Sequence, residues 1–177
     1  MQKRIQSLDG LRAISIILVV VSHAVPHFKD YFNLGNLGVR MFFVISSYLI
    51  VGILYRDVQK ERFDLKAFYF KRIMRTFPAF YMYLGVIAVL LSSMNIFDWE
   101  QFWRAPIYLE NYHPRSLWTK NQWFIGHSWS LAVEEQFYIV IALLFFLLNS
   151  NRLTVKKVGI ILIGVVLVVP LIRMTYL

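Results

Sequence analysis

Five blocks of apolar residues dominate this 177-residue chain, each close to the length that crosses a lipid bilayer and each set off by charged or turn-forming residues. They run over residues 8–25, 37–55, 77–97, 130–148 and 158–176. A helix rises about 1.5 Å per residue, so about 20 residues match a hydrocarbon core of about 30 Å. Within that core every backbone N–H and C=O must be paired inside the protein, which a helix does along its own length. The chain is 58% hydrophobic with a mean hydropathy of +0.55, and its apolar residues come in runs instead of alternating with polar ones. These features predict an all-α fold, a polytopic transmembrane helical bundle of about five spans forming one membrane domain over residues 1–177. Gly35 and Gly38 mark the start of the second span and Arg56 its end, while Pro78 falls in the first turn of the third, a position helices accept.

Charge sets the expected orientation. Most of the nineteen Lys and Arg lie before or at the opening of the first span (Lys3, Arg4, Arg12), between the second and third (Arg56, Lys60, Arg62, Lys66, Lys71, Arg72, Arg75) and between the fourth and fifth (Arg152, Lys156, Lys157). By the positive-inside rule these stretches are cytoplasmic, so the N-terminus is cytoplasmic and five spans place the C-terminus on the other side. The same distribution explains the net charge of +9 without nucleic acid as a partner. Lys3 and Arg4 ahead of an apolar run, with Ser22-His23-Ala24 beyond it, resemble a secretory leader. Asp9 and Arg12 interrupt its apolar core, however, and further spans follow, so the segment is expected to stay as a helix. With no cysteine, the chain has no disulfide, thiolate metal site or cysteine nucleophile.

Against this apolar background the ionisable residues stand out. Arg12 and His23 are eleven residues apart; at about 100° per residue they return to within about 20° of one direction and sit about 16 Å apart along the helix. Such groups are expensive in a bilayer, so a span that keeps two on one stripe is by default lining a polar pathway. Asp9 shares the span, and His23 has the side chain best suited to remove a proton from a hydroxyl near neutral pH. A lone histidine hydrogen-bonded to a neighbouring helix is the simpler alternative.

Two further segments carry charge. In Phe68-Tyr69-Phe70-Lys71-Arg72-Ile73-Met74-Arg75-Thr76-Phe77-Pro78, aromatic and basic residues fit an interfacial helix on anionic lipid, and Arg72 with Arg75 equally fits a clamp for a phosphorylated ligand. In His127-Ser128-Trp129-Ser130-Leu131-Ala132-Val133-Glu134-Glu135-Gln136-Phe137-Tyr138, the stripe of His127, Ser130 and Glu134 suits an acceptor site, and Ser128 or Ser130 equally suits an N-cap. Glu134 and Glu135, adjacent on a helix, point about 100° apart and are expected to find different surroundings. No phosphate-binding glycine loop, nucleophile elbow or zinc helix is present, and the four scattered histidines form no metal site.

Four blocks together resemble the N-terminal half of the acyltransferase 3 family of integral membrane O-acyltransferases, which includes O-antigen and peptidoglycan O-acetylases. They are Ser7-Leu8-Asp9-Gly10-Leu11-Arg12-Ala13 with His23; Gly38-Val39-Arg40-Met41-Phe42-Phe43-Val44-Ile45-Ser46-Ser47-Tyr48-Leu49-Ile50; Phe68-Tyr69 with Arg72, Arg75 and Pro78; and Trp129-Ser130-Leu131-Ala132-Val133-Glu134-Glu135-Gln136-Phe137-Tyr138. The resemblance implies a bacterial inner-membrane enzyme that moves an acyl group, commonly acetyl, from cytoplasmic acyl-CoA to a hydroxyl of a cell-envelope glycan or lipid-linked acceptor. Acyl-CoA is then a co-substrate, and no bound cofactor is implied. Carried onto this chain, it implies that Arg12, Arg72 and Arg75, with Asp9 and Ser46, bind acyl-CoA, that His23 deprotonates the acceptor or relays the acyl group, and that Glu134 or Glu135 supplies a catalytic carboxylate. Two positions depart from the family pattern: Arg40 stands where an aspartate is common, and Ser47-Tyr48 where Gly-Phe is common. The family's membrane domain is also about twice as long, and half a bundle leaves polar stripes facing lipid. The resemblance therefore implies that this chain works with a second half or as a homo-oligomer, or is a non-catalytic remnant.

Overall fold

The computed structural model describes residues 6–25, 34–112, 123–150, 152–161 and 163–164. Its long elements are helices α1 (Gln6–Ala24), α2 (Leu34–Gln59), α3 (Leu65–Ser93) and, after two single-turn helices, α4 (Trp99–Phe102) and α5 (Trp123–Gly126), the last long helix α6 (Trp129–Asn149). No strand occurs among the described residues. Among the described residues, four helical segments are long and apolar enough to cross a membrane, the last counted from Phe124 through α6. The protein is an integral membrane protein built as a helical bundle. Of the fifth expected span, residues 158–161 are helical, and the part beyond residue 164 lies outside the described residues.

α1 and α2 pack through small residues. Ser15 and Ser22 are buried on the α1 face that meets α2, and their hydroxyls donate to their own helix, to the carbonyls of Leu11 at 2.8 Å and Val19 at 2.7 Å. Because those protons are satisfied locally, the hydroxyls are tolerated in a dry interface. Gly35 and Gly38 face them from within the first turns of α2, so they act here as contact residues and not as breakers at its start. A Cβ on Gly38 would come within 2.6 Å of the Ser15 carbonyl oxygen and 2.9 Å of Val19.

α3 departs most from the sequence expectation. It begins at Leu65, twelve residues before residue 77, because Asp64 caps it by accepting hydrogen bonds from the Lys66 and Ala67 amides at 2.8 and 3.1 Å. The aromatic and basic segment over residues 68–78 is thus part of the same continuous helix, and Pro78 lies in its interior instead of its first turn. It also ends earlier than residue 97: Asn95 takes a left-handed backbone with φ of 55°, which stops the helix after Ser93.

Two apolar clusters tie the helices together. Phe80, Leu84, Ile87 and Leu91 of α3 pack with Phe102, Ala105 and Ile125 of the connecting segments. Leu54 of α2 packs with Ile141, Leu144 and Phe145 of α6 and with Val158. Large apolar side chains elsewhere on the long helices, such as Val44, Met82 and Val89, point outward, as expected for surfaces solvated by lipid tails.

Candidate active site

The polar residues of four different helices converge between the two clusters. On α1, Arg12 reaches toward α2: its Nη2 donates to Ser46 Oγ at 3.5 Å, its guanidinium lies 5.9 Å from the Phe42 ring centroid, and its Nε is buried without a hydrogen-bond partner. Asp9, in the first turn of α1, is half-buried one turn before Arg12, where an acid suits the positive end of the helix dipole.

On α3, Arg72 turns into the bundle. Its Nη2 lies 3.4 Å from Glu134 Oε1 and its Nε 3.7 Å from Glu135 Oε1, and its guanidinium sits 3.1 Å from the centroid of the Tyr138 ring. Adjacent glutamates diverge by about 100°, yet one arginine reaches both, because its long side chain enters between them from the facing helix. Tyr138, one turn after Glu134 on the same face of α6, donates its hydroxyl to Glu134 and interacts with Ser46 of α2. Arg12, Ser46, Tyr138, Glu134, Arg72 and Glu135 therefore form one cluster spanning α1, α2, α6 and α3. Arg75 is not part of it: three residues beyond Arg72, it is exposed on the outer side of α3.

Two cavities meet at Glu134. A small one of about 130 Å³ is walled by Phe43, Ser46, Ser47, Glu134 and Tyr138, among others. A cleft of about 320 Å³ lies between α1, α2 and α6, with Ser15, Ile16, Val19 and Val20 on its α1 side and Phe42, Phe43, Ser130 and Glu134 opposite. Its α1 wall occupies the two turns between Arg12 and His23. His23 is exposed, and its Nδ1 lies 2.8 Å from the Val19 carbonyl and 3.2 Å from Ser22 Oγ. A carbonyl only accepts, so Nδ1 carries the proton in the neutral ring and Nε2 carries the lone pair. The fixed tautomer leaves Nε2 as the basic nitrogen.

Beside these glutamates, a different face of α6 is held by a polar clasp. Gln136 and Asn111 exchange amide hydrogen bonds at 3.0 and 3.1 Å, and Gln136 Nε2 also donates to the Tyr108 carbonyl at 2.8 Å. Beside it Glu110 is buried, with both carboxylate oxygens lacking hydrogen-bond partners, and burial pushes its carboxyl up to about 7 despite the opposing pull of Arg104. Ser128 stands at the N-cap of α6 without a side-chain cap hydrogen bond, and its hydroxyl is buried without a partner. Ser130 Oγ donates to the His127 carbonyl.

Sequence reasoning did not single out Tyr138 or Glu110. Both are ordinary residues for their segments, and only burial and the partners brought by other helices mark them. Tyr138 carries one usable signal, its spacing of four from Glu134.

The family model described as the acyltransferase domain matches residues 5–175. The chain is 31% identical over 160 residues to the peptidoglycan O-acetyltransferase OatA of Listeria monocytogenes, covering 78% of this chain and 24% of that protein. It is 36% identical over 159 residues to the O-acetyltransferase OatA of Staphylococcus aureus, covering 82% of this chain and 25% of that protein. The chain thus spans about a quarter of the length of the curated relatives it matches. No solved structure matches it.

Proposed function

Because the chain belongs to the acyltransferase 3 family of membrane proteins, we propose that it transfers an acyl group, acetyl first among them, from acyl-CoA to a hydroxyl of a cell-envelope glycan. The observation that carries this reading is the cleft bounded by α1, α2 and α6, with the arginine and glutamate cluster on one side and His23 one turn beyond its α1 wall. In this reading the side bearing Arg56 to Arg75 faces the cytoplasm of a bacterial plasma membrane, where acyl-CoA is supplied, and the glycan is met on the other side. The similarity to relatives named as O-acetyltransferases, one of them a peptidoglycan O-acetyltransferase, supports acetyl and a cell-wall glycan as donor group and acceptor.

The chemistry follows from the side chains. The exposed Arg75 provides a guanidinium for a phosphate of the donor at the membrane surface, Arg12 adds positive charge along its path into the bundle, and Arg72, paired with Glu134 and Glu135, acts from within the site. His23 Nε2 takes the proton of the acceptor hydroxyl as its oxygen attacks the thioester carbonyl carbon. The C–S bond breaks, the new C–O ester bond remains, and the proton held by His23 is returned to the departing thiolate as CoA-SH. Ser46 holds Arg12, and Glu134, at the junction of the two cavities, accepts hydrogen bonds that orient the reacting groups.

The reading is tested with membranes containing the chain, acetyl-CoA labelled in the acetyl group and cell-wall glycan fragments. Label appearing in base-labile ester on the glycan, with equimolar release of CoA, is expected. Absence of both products above membranes lacking the chain overturns it.

A further inference from the structure

Arg72 would ordinarily be regarded as a phosphate-binding residue, yet its surroundings are those of a residue held in place. It is only 14% exposed and faces two carboxylates, and its ion pairs are long, at 3.4 and 3.7 Å. Its Nε and Glu135 Oε1 are buried without any hydrogen bond. Carboxylates at those distances neutralise the guanidinium but fix its plane poorly, since orientation comes from short, directional hydrogen bonds. The close contact is the aromatic one, with the guanidinium 3.1 Å from the Tyr138 ring centroid. A cation held that close over a ring face keeps the contact only while the ring stays beneath it.

Tyr138 is itself enclosed on several sides. It is 2% exposed, donates its hydroxyl to Glu134 and neighbours Ser46, the partner of Arg12. One side chain thus touches the arginine of α3, the carboxylate of α6 and the serine of α2. We propose that Tyr138 is a positioning residue: its ring orients Arg72 and its hydroxyl orients Glu134, so that both meet the reacting groups in one fixed geometry. Arg72 then serves the transfer step from within the bundle, while the exposed Arg75 is left to grip the donor. This inference rests on the acyl-transfer reading for its kinetic part and on geometry alone for the rest.

The two parts are tested separately, in membranes containing the full chain. Phenylglyoxal, which modifies accessible guanidinium groups, is applied to wild type, Tyr138→Phe and Tyr138→Leu, and labelling of Arg72 and Arg75 is followed by mass spectrometry. Arg75 should label readily in all three. Arg72 should be protected in wild type and in Tyr138→Phe, which keeps the ring, and should label about tenfold faster in Tyr138→Leu. Equal labelling of Arg72 in wild type and Tyr138→Leu overturns the proposal. In the labelled acetyl-CoA assay, Tyr138→Leu should lower kcat by about tenfold or more with KM for acetyl-CoA little changed, and Tyr138→Phe should recover part of that loss. A rise in KM with unchanged kcat overturns the positioning role and returns Arg72 to donor binding. Wild-type membranes that transfer no label defeat the acyl-transfer reading, and the labelling pattern then still decides whether Tyr138 holds Arg72.

Discussion

Gly38 and Ser15 touch so closely that a single added carbon on the glycine would approach the serine carbonyl oxygen to 2.6 Å. Real side-chain carbons do not tolerate that distance from backbone oxygen, so the two helices can hold this separation only with glycine at position 38. The contact decides how near Arg12 of α1 comes to Ser46 of α2, because both lie on the same helix pair.

Gly38→Val should therefore push α1 from α2 and destabilise the pair by about 1–3 kcal/mol, as overpacking in a tight interface does. Thermal unfolding in detergent, followed by helical circular dichroism, checks this. Gly85, whose added Cβ would meet nothing within 4 Å, is the control position: Gly85→Ala should not lower the transition and should raise it slightly, since alanine favours a helix interior over glycine.

His23→Ala removes the proposed base while leaving α1 apolar enough to insert. Transfer of acetyl to glycan should fall by at least about 100-fold, in the range of a lost general base, with unchanged membrane content of the protein. Comparing label transfer with immunoblots of the membrane fraction checks both halves of the expectation. Retained transfer would remove His23 from the mechanism.

Arg75→Ala should act on donor binding alone. Hydrogen bonds to charged groups contribute about 1.5–3 kcal/mol, so KM for acetyl-CoA should rise roughly tenfold or more while kcat stays near wild type. The initial rate as a function of acetyl-CoA concentration separates the two parameters. An unchanged KM would leave Arg75 as a lipid-facing anchor of α3.

Glu110 should make the clasp on α6 sensitive to pH. Burial holds its carboxyl up at about 7, above the ordinary 4.5, so the folded state favours the protonated acid. Its contribution to stability is fully present below the ordinary value and is lost as pH rises through about 7, where a buried charge must form or the segment must open. Amide hydrogen exchange over residues 98–112, corrected for the intrinsic effect of pH, should become less protected between pH 5 and 8. Glu110→Gln, which does not titrate, should flatten that dependence.

Much of the architecture was legible in the chain itself. α1, α2 and α6 lie within about one turn of the spans read from hydropathy, because a bilayer demands an uninterrupted apolar helix of set length and the sequence must supply it locally. α3 was misread at its start because hydropathy registers apolar length alone. Residues 65–76 are too basic to count as a span, yet Asp64 caps them and helical hydrogen bonding carries them into the membrane segment.

The candidate site divides in the same way. That Arg12, His23, Glu134 and Glu135 deserved scrutiny followed from their cost in an apolar setting, and that Arg72 did followed from its basic and aromatic neighbours, each a property of the residue in its own segment. Which of them meet was decided by tertiary structure alone. Arg72 and Glu134 are sixty-two residues apart, and Arg12 and Ser46 thirty-four, and nothing in local spacing pairs them. The separation of Arg72 from Arg75 has the same origin: two arginines on neighbouring faces of one helix look equivalent in the chain, and only the helix packed against α3 turns one into a buried partner of carboxylates and leaves the other exposed.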